Sequence, residues 1–249
     1  MFIAIIPARG NSKGILKKNI SKIGGKSLVD WAIDCAVNSS VVDCVVLSTD
    51  DAEIVRNSKT FLKAEKDFTN MLQGEVKKIN NRIVIHKRKQ IHAGENSKTI
   101  EGVLDILKSN LFCTEDELVI LQPTSPFRTS VELEKVKKSF TKHGARSLIS
   151  VRLFDSPHPA KAILLKNGLV DTPKFSLKNL STPRQNLPEY YVSDGAYYMS
   201  TVKNIKTTKK FVSKNSQTYV RKGLSTINID TMIDLQVAQL VYDNNLLID

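Results

Sequence analysis

Phe2-Ile3-Ala4-Ile5-Ile6-Pro7-Ala8-Arg9-Gly10-Asn11-Ser12-Lys13-Gly14 opens the chain, and the reading of this stretch decides the fold. A short isoleucine-rich run ends on a proline and gives way to glycines and cations. That is how a buried strand looks when it delivers a loop at its carboxyl end. The run has no basic residues before it and meets Arg9 at once, so it reads as a first strand and not as a secretion signal.

Similar apolar runs recur at 44–49, 82–86, 118–122 and 148–151, rich in Val and Ile. Between them, 27–38, 51–61, 97–109 and 131–142 carry the spacing of amphipathic helices. In the first of these, Leu28, Ala32, Ile33 and Ala36 share a face that Asp30 and Asp34 avoid. Strands and helices in turn predict an α/β fold with a doubly wound, mostly parallel sheet. Ligands of such sheets sit beyond the carboxyl ends of the strands.

The rhythm breaks at 153–192, where prolines cluster and Asn167-Gly168 marks a hairpin turn. This segment is expected to be a small inserted β-rich lobe, with 1–152 and 193–249 forming the α/β domain. Regular structure is expected to resume at 195–199 and 224–229, with a last helix over 231–243. The lysine-bearing stretch 63–81 reads as a surface helix or loop.

With 249 residues the chain is long enough for a self-sufficient core. No apolar run approaches the ~20 residues of a membrane helix. Cys35, Cys44 and Cys113 fit neither a zinc site nor a disulfide framework, which points to a reducing, cytoplasmic setting. The net charge of +12 predicts anionic partners. Aromatics are only 6% of the residues and the lysines are scattered, which disfavours nucleic acid and leaves small anions.

Three loops could carry chemistry. The glycines at 10 and 14 allow a tight turn that brings amides towards an anion, and Arg9, Lys13 and Lys18 add fixed charge. Such a loop can surround a triphosphate. It can equally be a basic surface turn, and it is neither a Walker loop nor a dinucleotide fingerprint. Gln122-Pro123-Thr124-Ser125-Pro126 offers neutral amide and hydroxyl groups in a stiffened turn, suited to a sugar or to capping the next helix. Asn228 and Asp230, two apart, can present two oxygens together to Mg²⁺, or Asp230 can belong to the start of the last helix. Thr231 and Asp234 fit a capping box there. His86, His92, His143 and His158 show neither metal-ligand nor triad spacing.

Taken in order, 6–14 with Lys18-Asn19, Ser48-Thr49-Asp50, 121–126, Pro183-Arg184-Gln185, Gly195-Ala196-Tyr197-Tyr198 and Ile229-Asp230-Thr231 resemble the acylneuraminate cytidylyltransferases, or CMP-sialic acid synthetases. The resemblance implies Mg²⁺-dependent transfer of CMP from CTP to the anomeric hydroxyl of a nine-carbon α-keto acid sugar, with release of pyrophosphate. It implies a nucleotide loop of Ala8, Arg9, Gly10, Asn11, Ser12 and Lys13, with Arg9, Lys18 and Asp230 as catalytic groups. Asn19 and Arg88 would contact the base or ribose, and Thr99, Gln122 and Tyr197 the sugar side. Lys161 and Arg184 lie in the lobe that pairs two subunits in this family, so a homodimer is expected. The family usually has an acidic residue where this chain has Asn228, and 63–81 is longer than usual. The sister family for the eight-carbon sugar Kdo usually carries a Ser-Thr-Arg run that residues 11–14 do not reproduce.

Overall fold

The computed structural model describes residues 1–11, 14–94, 97–154, 156–172 and 174–247. Along the chain run β1 (Phe2–Pro7), β2 (Lys22–Ile23), β3 (Lys26–Ser27), α1 (Leu28–Val37), β4 (Cys44–Thr49), α2 (Ala52–Asn57), α3 (Glu65–Asn70), β5 (Val76–Lys78) and β6 (Ile83–Lys87). Then come α4 (Thr99–Ile106), β7 (Glu117–Ile120), α5 (Ser130–His143), β8 (Ser147–Leu153), β9 (Leu165–Lys166), β10 (Leu169–Val170) and α6 (Lys174–Leu180). β11 (Tyr191–Thr201), α7 (Val202–Thr208), β12 (Gln217–Arg221) and α8 (Met232–Asp243) close the chain.

The main sheet has eight strands in the order β12-β8-β11-β7-β1-β4-β6-β5. Neighbours β7, β1, β4 and β6 pair in parallel, as do β8 and β12, while β11 and β5 run against their neighbours. The α/β fold expected from the alternation is therefore present. From β1 the chain builds first towards β4 and β6, then returns to place β7 on the other side of β1. That reversal opens a crevice between the loops leaving β1 and β7.

Period-two alternation in β1 explains the layering. Phe2, Ala4, Ile6 and Ala8 pack with α1 and α5 on one face, and Ile3 and Ile5 with α4 and α7 on the other. A third, smaller cluster joins Ile15, Ile23, Leu28, Phe127, Ile229, Ala238 and Val241 beneath α8.

Four expectations need correction. The 63–81 stretch is no mere surface elaboration, since Phe68 and Met71 are buried in the main core and β5 extends the sheet. The 51–61 helix stops at Asn57, where Ser58 turns extended. Strand β12 falls at Gln217–Arg221, and Leu224–Thr226 is a single 3₁₀ turn. Between β8 and β11 the described residues are not β-rich: they hold one hairpin, β9–β10, and the helix α6. The hairpin turn does fall at Asn167-Gly168, both with positive φ (51° and 78°), as a tight turn of mirror type requires.

Beneath β11 lies a buried ionic network. Arg221 donates to both carboxylate oxygens of Glu132, at 2.8 and 3.0 Å, and to Asp194 at 2.9 Å. Asp194 also accepts from the Ser150 hydroxyl and the Ala196 amide. Arg221 and Asp194 side chains are wholly shielded from solvent. Their mutual attraction must offset the cost of dehydrating both ions, so loss of one partner is severe. Arg221→Met is expected to cost roughly 3–5 kcal/mol, because Asp194 is left charged and unpaired. Urea unfolding measures this, and a loss near zero would show that the network carries no net stability.

Candidate active site

The loop leaving β1 is shaped by close approach. The Ala8 amide donates to Ser48 O at 2.9 Å, continuing the ladder with β4 one step past the strand. The Gly10 amide donates to Asp50 Oδ1 at 2.9 Å. A Cβ on Gly10 would lie 2.7 Å from Asp51 Oδ2, so no larger residue fits there without displacing the α2 cap. A Cβ on Gly14 would lie 2.2 Å from the Asp230 carbonyl oxygen. Glycine at 14 thus lets the first loop rest on the backbone just before α8.

Lys18 closes the same contact from the other side. Its Nζ donates to Ile229 O and to Asp230 Oδ1, each at 3.1 Å. Asn228 Nδ2 donates to the other Asp230 oxygen at 3.0 Å, and Asn228 Oδ1 accepts from the Ser125 hydroxyl at 3.3 Å. The Ile229 amide donates to Thr124 O at 2.7 Å, tying this segment to the loop after β7. Residues 227–230 are not a strand, so Asn228 and Asp230 meet through these bonds and not through strand alternation. Thr231 and Asp234 form the expected capping box. Burial would raise the Asp234 carboxyl, but hydrogen bonds from Thr231 and Asp230 outweigh it and hold it below its usual range.

Together these loops enclose a cleft of about 300 Å³ lined by Arg9, Lys18, Asn19, Arg88, Thr99, Gln122, Asn228 and Asp230, with Pro7, Ser97, Pro123 and Thr124 completing it. Asn19 is buried and donates to Arg9 O at 2.7 Å, fixing the loop's course. Arg9 Nη1 donates to Gly94 O at 3.0 Å. Arg88 follows β6 and is only 4% exposed, yet its Nε has no hydrogen-bond partner. Burial lowers its pKa, Asp50 opposes and Arg9 adds to the effect, but an arginine stays cationic. The Nε is enclosed against Gly102, where an added Cβ would stand 3.1 Å away, so what Arg88 offers the cleft is fixed positive charge.

The remaining expected residues fall elsewhere. Ser12 and Lys13 lie outside the described residues. Ala8 is buried, and Asn11 is exposed and does not line the cleft. Tyr197 must be corrected: it is fully buried, its hydroxyl donates to Glu132 at 2.9 Å, and the Arg221 guanidinium lies 5.5 Å from its ring centre. A bulge between Ser193 and Tyr198 interrupts the alternation of β11 and turns Tyr197 into the core. Tyr198 instead shares a hydrogen bond with Ser193 at 2.8 Å. Neither Lys161 nor Arg184 lines the cleft; Arg184 borders a separate crevice with Phe154, His158 and Tyr190.

Two further residues, to which the sequence reading gave no role, support the cleft. Gly195, at the bulge with φ 73°, leaves space that a Cβ would fill at 3.2 Å from Gln122 Oε1 and 3.3 Å from Asn228 Oδ1. Arg128, buried, donates to Gln122 O at 2.7 Å and Ala196 O at 2.9 Å, setting the loop after β7. Beneath Thr49 and Arg88, Ser48 Oγ lies 2.9 Å from His86 Nδ1, and His86 Nε2 lies 3.6 Å from Asp105 Oδ2. The three resemble a nucleophilic triad in residue type, but all are buried and Ser48 cannot meet a substrate.

Among the described residues no group of three or more His, Cys, Asp and Glu could hold a metal. Asp230, two-thirds exposed with Asn228 beside it, does fit an ion that arrives with a polyphosphate. Mg²⁺ accepts one carboxylate when phosphates and water complete its shell.

The cytidylyltransferase family model matches residues 3–93. The chain is 28% identical over 243 residues to the pseudaminic acid cytidylyltransferase of Campylobacter jejuni, covering 98% of this chain and 97% of that protein. It is 28% identical over 255 residues to the CMP-N,N'-diacetyllegionaminic acid synthase of Legionella pneumophila, covering 98% and 97%. It is 26% identical to the Escherichia coli N-acylneuraminate cytidylyltransferase over 95% of this chain and 51% of that longer protein. In fold it is similar to a CMP:2-keto-3-deoxy-manno-octonic acid synthetase solved with CTP, with TM-score 0.64, 12% identity and coverage of 98% and 99%. A 4-diphosphocytidyl-2C-methyl-D-erythritol synthase matches with TM-score 0.58, 12% identity and coverage of 96% and 98%. The chain is thus a nucleotidyltransferase. Residues 3–93 match the cytidylyltransferase family model, and over nearly its whole length the chain is similar to the acylneuraminate-type enzymes.

His86 gives a pH test of the site's underpinning. Burial, against the opposing pull of Asp105, lowers its pKa to about 4. Unfolded histidine titrates near ~6.5, so between about pH 6.5 and 4 only the unfolded chain takes up this proton. Stability is therefore full above that window and falls as pH drops through it, by about 3 kcal/mol for this residue. His86→Gln is expected to flatten the slope, as read by urea unfolding at stepped pH. An unchanged slope would contradict the assignment.

Proposed function

We propose that the protein transfers CMP from CTP to the anomeric hydroxyl of a nonulosonic acid, releasing pyrophosphate. The acceptor would be a sialic acid or a relative such as legionaminic or pseudaminic acid. The observation that supports this most is the convergence of Arg9, Lys18 and Arg88 on one cleft opposite Asp230. Three cations facing one carboxylate suit a triphosphate and its escorting ion far better than a neutral ligand. The names of the full-length relatives supply the acceptor class.

The sugar hydroxyl oxygen bonds to the α-phosphorus as the bond to the pyrophosphate oxygen breaks, and the hydroxyl proton passes to solvent. Arg9 and Lys18 neutralise charge that grows on the departing pyrophosphate. Bound Mg²⁺ would polarise the phosphate oxygens, held by Asp230 with Asn228 beside it. Asn19 and Arg88 would orient the nucleoside, and Thr99 and Gln122 the sugar. The cleft's described lining holds no histidine and a single carboxylate, so positioning and charge carry the step.

The acceptor's own carboxylate calls for a further cation. Lys161 and Arg184, in the lobe at 153–192, would provide it across a homodimer, each lobe serving the other copy. Leu164, Leu165, Leu169 and Val170 are more than half exposed in one chain, which supports burial of this lobe against a partner. Among the described residues no helix is long and apolar enough to cross a membrane.

The test is pyrophosphate release with CTP, ATP, GTP and UTP crossed against a panel of nonulosonic acids and Kdo. Turnover is expected only with CTP and a nine-carbon acid. Lys18→Ala should lower kcat by roughly 10²–10³ without loss of folded signal. Near-normal turnover by that variant, or no pyrophosphate with any nonulosonic acid, would refute the reading.

A further inference from the structure

Behind Arg88 and Thr99, which line the cleft, lies a second cavity, of about 690 Å³ against about 300 Å³ for the cleft. Nothing in the proposed reaction uses it. Its floor is carbon: Leu104, and Leu107 and Phe112, which are otherwise buried. Its rim carries three cations, Lys206 and Lys209 from the end of α7 and Lys108 opposite, with one carboxylate, Glu101, on the side towards the cleft. Lys108 is already paired with Asp105 at 3.1 Å, whereas Lys206 and Lys209 have no acidic partner among the described residues. Lys209 also ends α7 with φ 52°, the left-handed position where glycine is the usual choice. A side chain there is disfavoured, and here it sets a second ammonium on the cavity rim.

An apolar floor below two unpaired ammonium groups suits neither water nor a sugar. Its volume lies within the roughly 300–1,000 Å³ of small-molecule sites. We propose that this cavity is a second small-molecule site for an amphipathic anion, a ring or short acyl body bearing a carboxylate, sulfonate or phosphate. The carbon body would cover Leu104, Leu107 and Phe112, and the anionic head would lie between Lys206 and Lys209. The site shares its wall with the cleft. His92 and Glu101, 3.8 Å apart, face the cavity, while Arg88 and Thr99 of the same stretch face the cleft. Glu101 also accepts from the Lys98 amide at 3.2 Å and so holds the start of α4, the helix common to both. The inference does not depend on which sugar the cleft accepts.

The probe is 1-anilinonaphthalene-8-sulfonate, whose fluorescence rises when its rings leave water. A saturable component is expected with the intact protein, unaffected by saturating CTP. Lys206→Glu with Lys209→Glu should weaken it at least about tenfold while pyrophosphate release stays normal. Lys206→Met with Lys209→Met, which keeps the carbon stems, should weaken it less but in the same direction. Leu104→Gln tests the floor and should weaken it with the lysines intact. Equal affinity in the charge-reversed protein would place the probe on other apolar surface and overturn the proposal. So would its displacement by CTP, which would place it in the cleft.

Discussion

Contact between Gly14 and the Asp230 carbonyl, where a single added carbon would stand 2.2 Å from the oxygen, is the constraint on which the cleft depends. Residues more than two hundred positions apart meet there, and the neighbours of each are anchored in one small core. Ile15, Phe127 and Ile229, one from each of the three loops around the cleft, bury their side chains together beneath α8. Apolar packing beneath and a backbone contact above fix the loops before any ligand arrives. Lys18 then spans the gap, bonded to Ile229 and Asp230. A polyphosphate would compete for an ammonium that the fold has already put in place, which is the sense in which such a site is preorganised.

Asn228 refines that picture. An aspartate there would set two carboxylates side by side, and their repulsion favours either a proton or a cation between them. The asparagine instead donates to Asp230 and accepts from Ser125, so the loop is satisfied without metal. On the sugar side, the buried Arg221–Asp194 pair and Arg128 hold the bulge at Gly195 against Gln122 and Asn228. Charge buried in the core there serves to aim uncharged groups at the surface.

Much of this was legible in the residues. The unbroken apolar run from Phe2 to Ile6 marked β1 as a buried strand, and the glycines at 10 and 14 marked a tight turn at its end. The capping box of Thr231 and Asp234 marked the start of α8. What escaped depended on register and distant contact. A bulge has no spacing signature, so Tyr197 and Tyr198 looked alike until the shift turned one of them inward. Phe68 and Met71 sit in a polar stretch whose burial is decided by what folds over it. Ser48, His86 and Asp105 come from two strands and a helix, and only the parallel pairing of β4 with β6 sets the first two side by side.

The most direct measurement is the affinity for CTP with Mg²⁺, by calorimetry, of Gly14→Ala. The substitution removes no charge and no hydrogen-bonding side chain; it only forces the first loop away from Asp230. The account predicts binding weakened by at least about tenfold with the unfolding temperature nearly unchanged. Unaltered affinity would mean that the two loops need not touch for the nucleotide to bind.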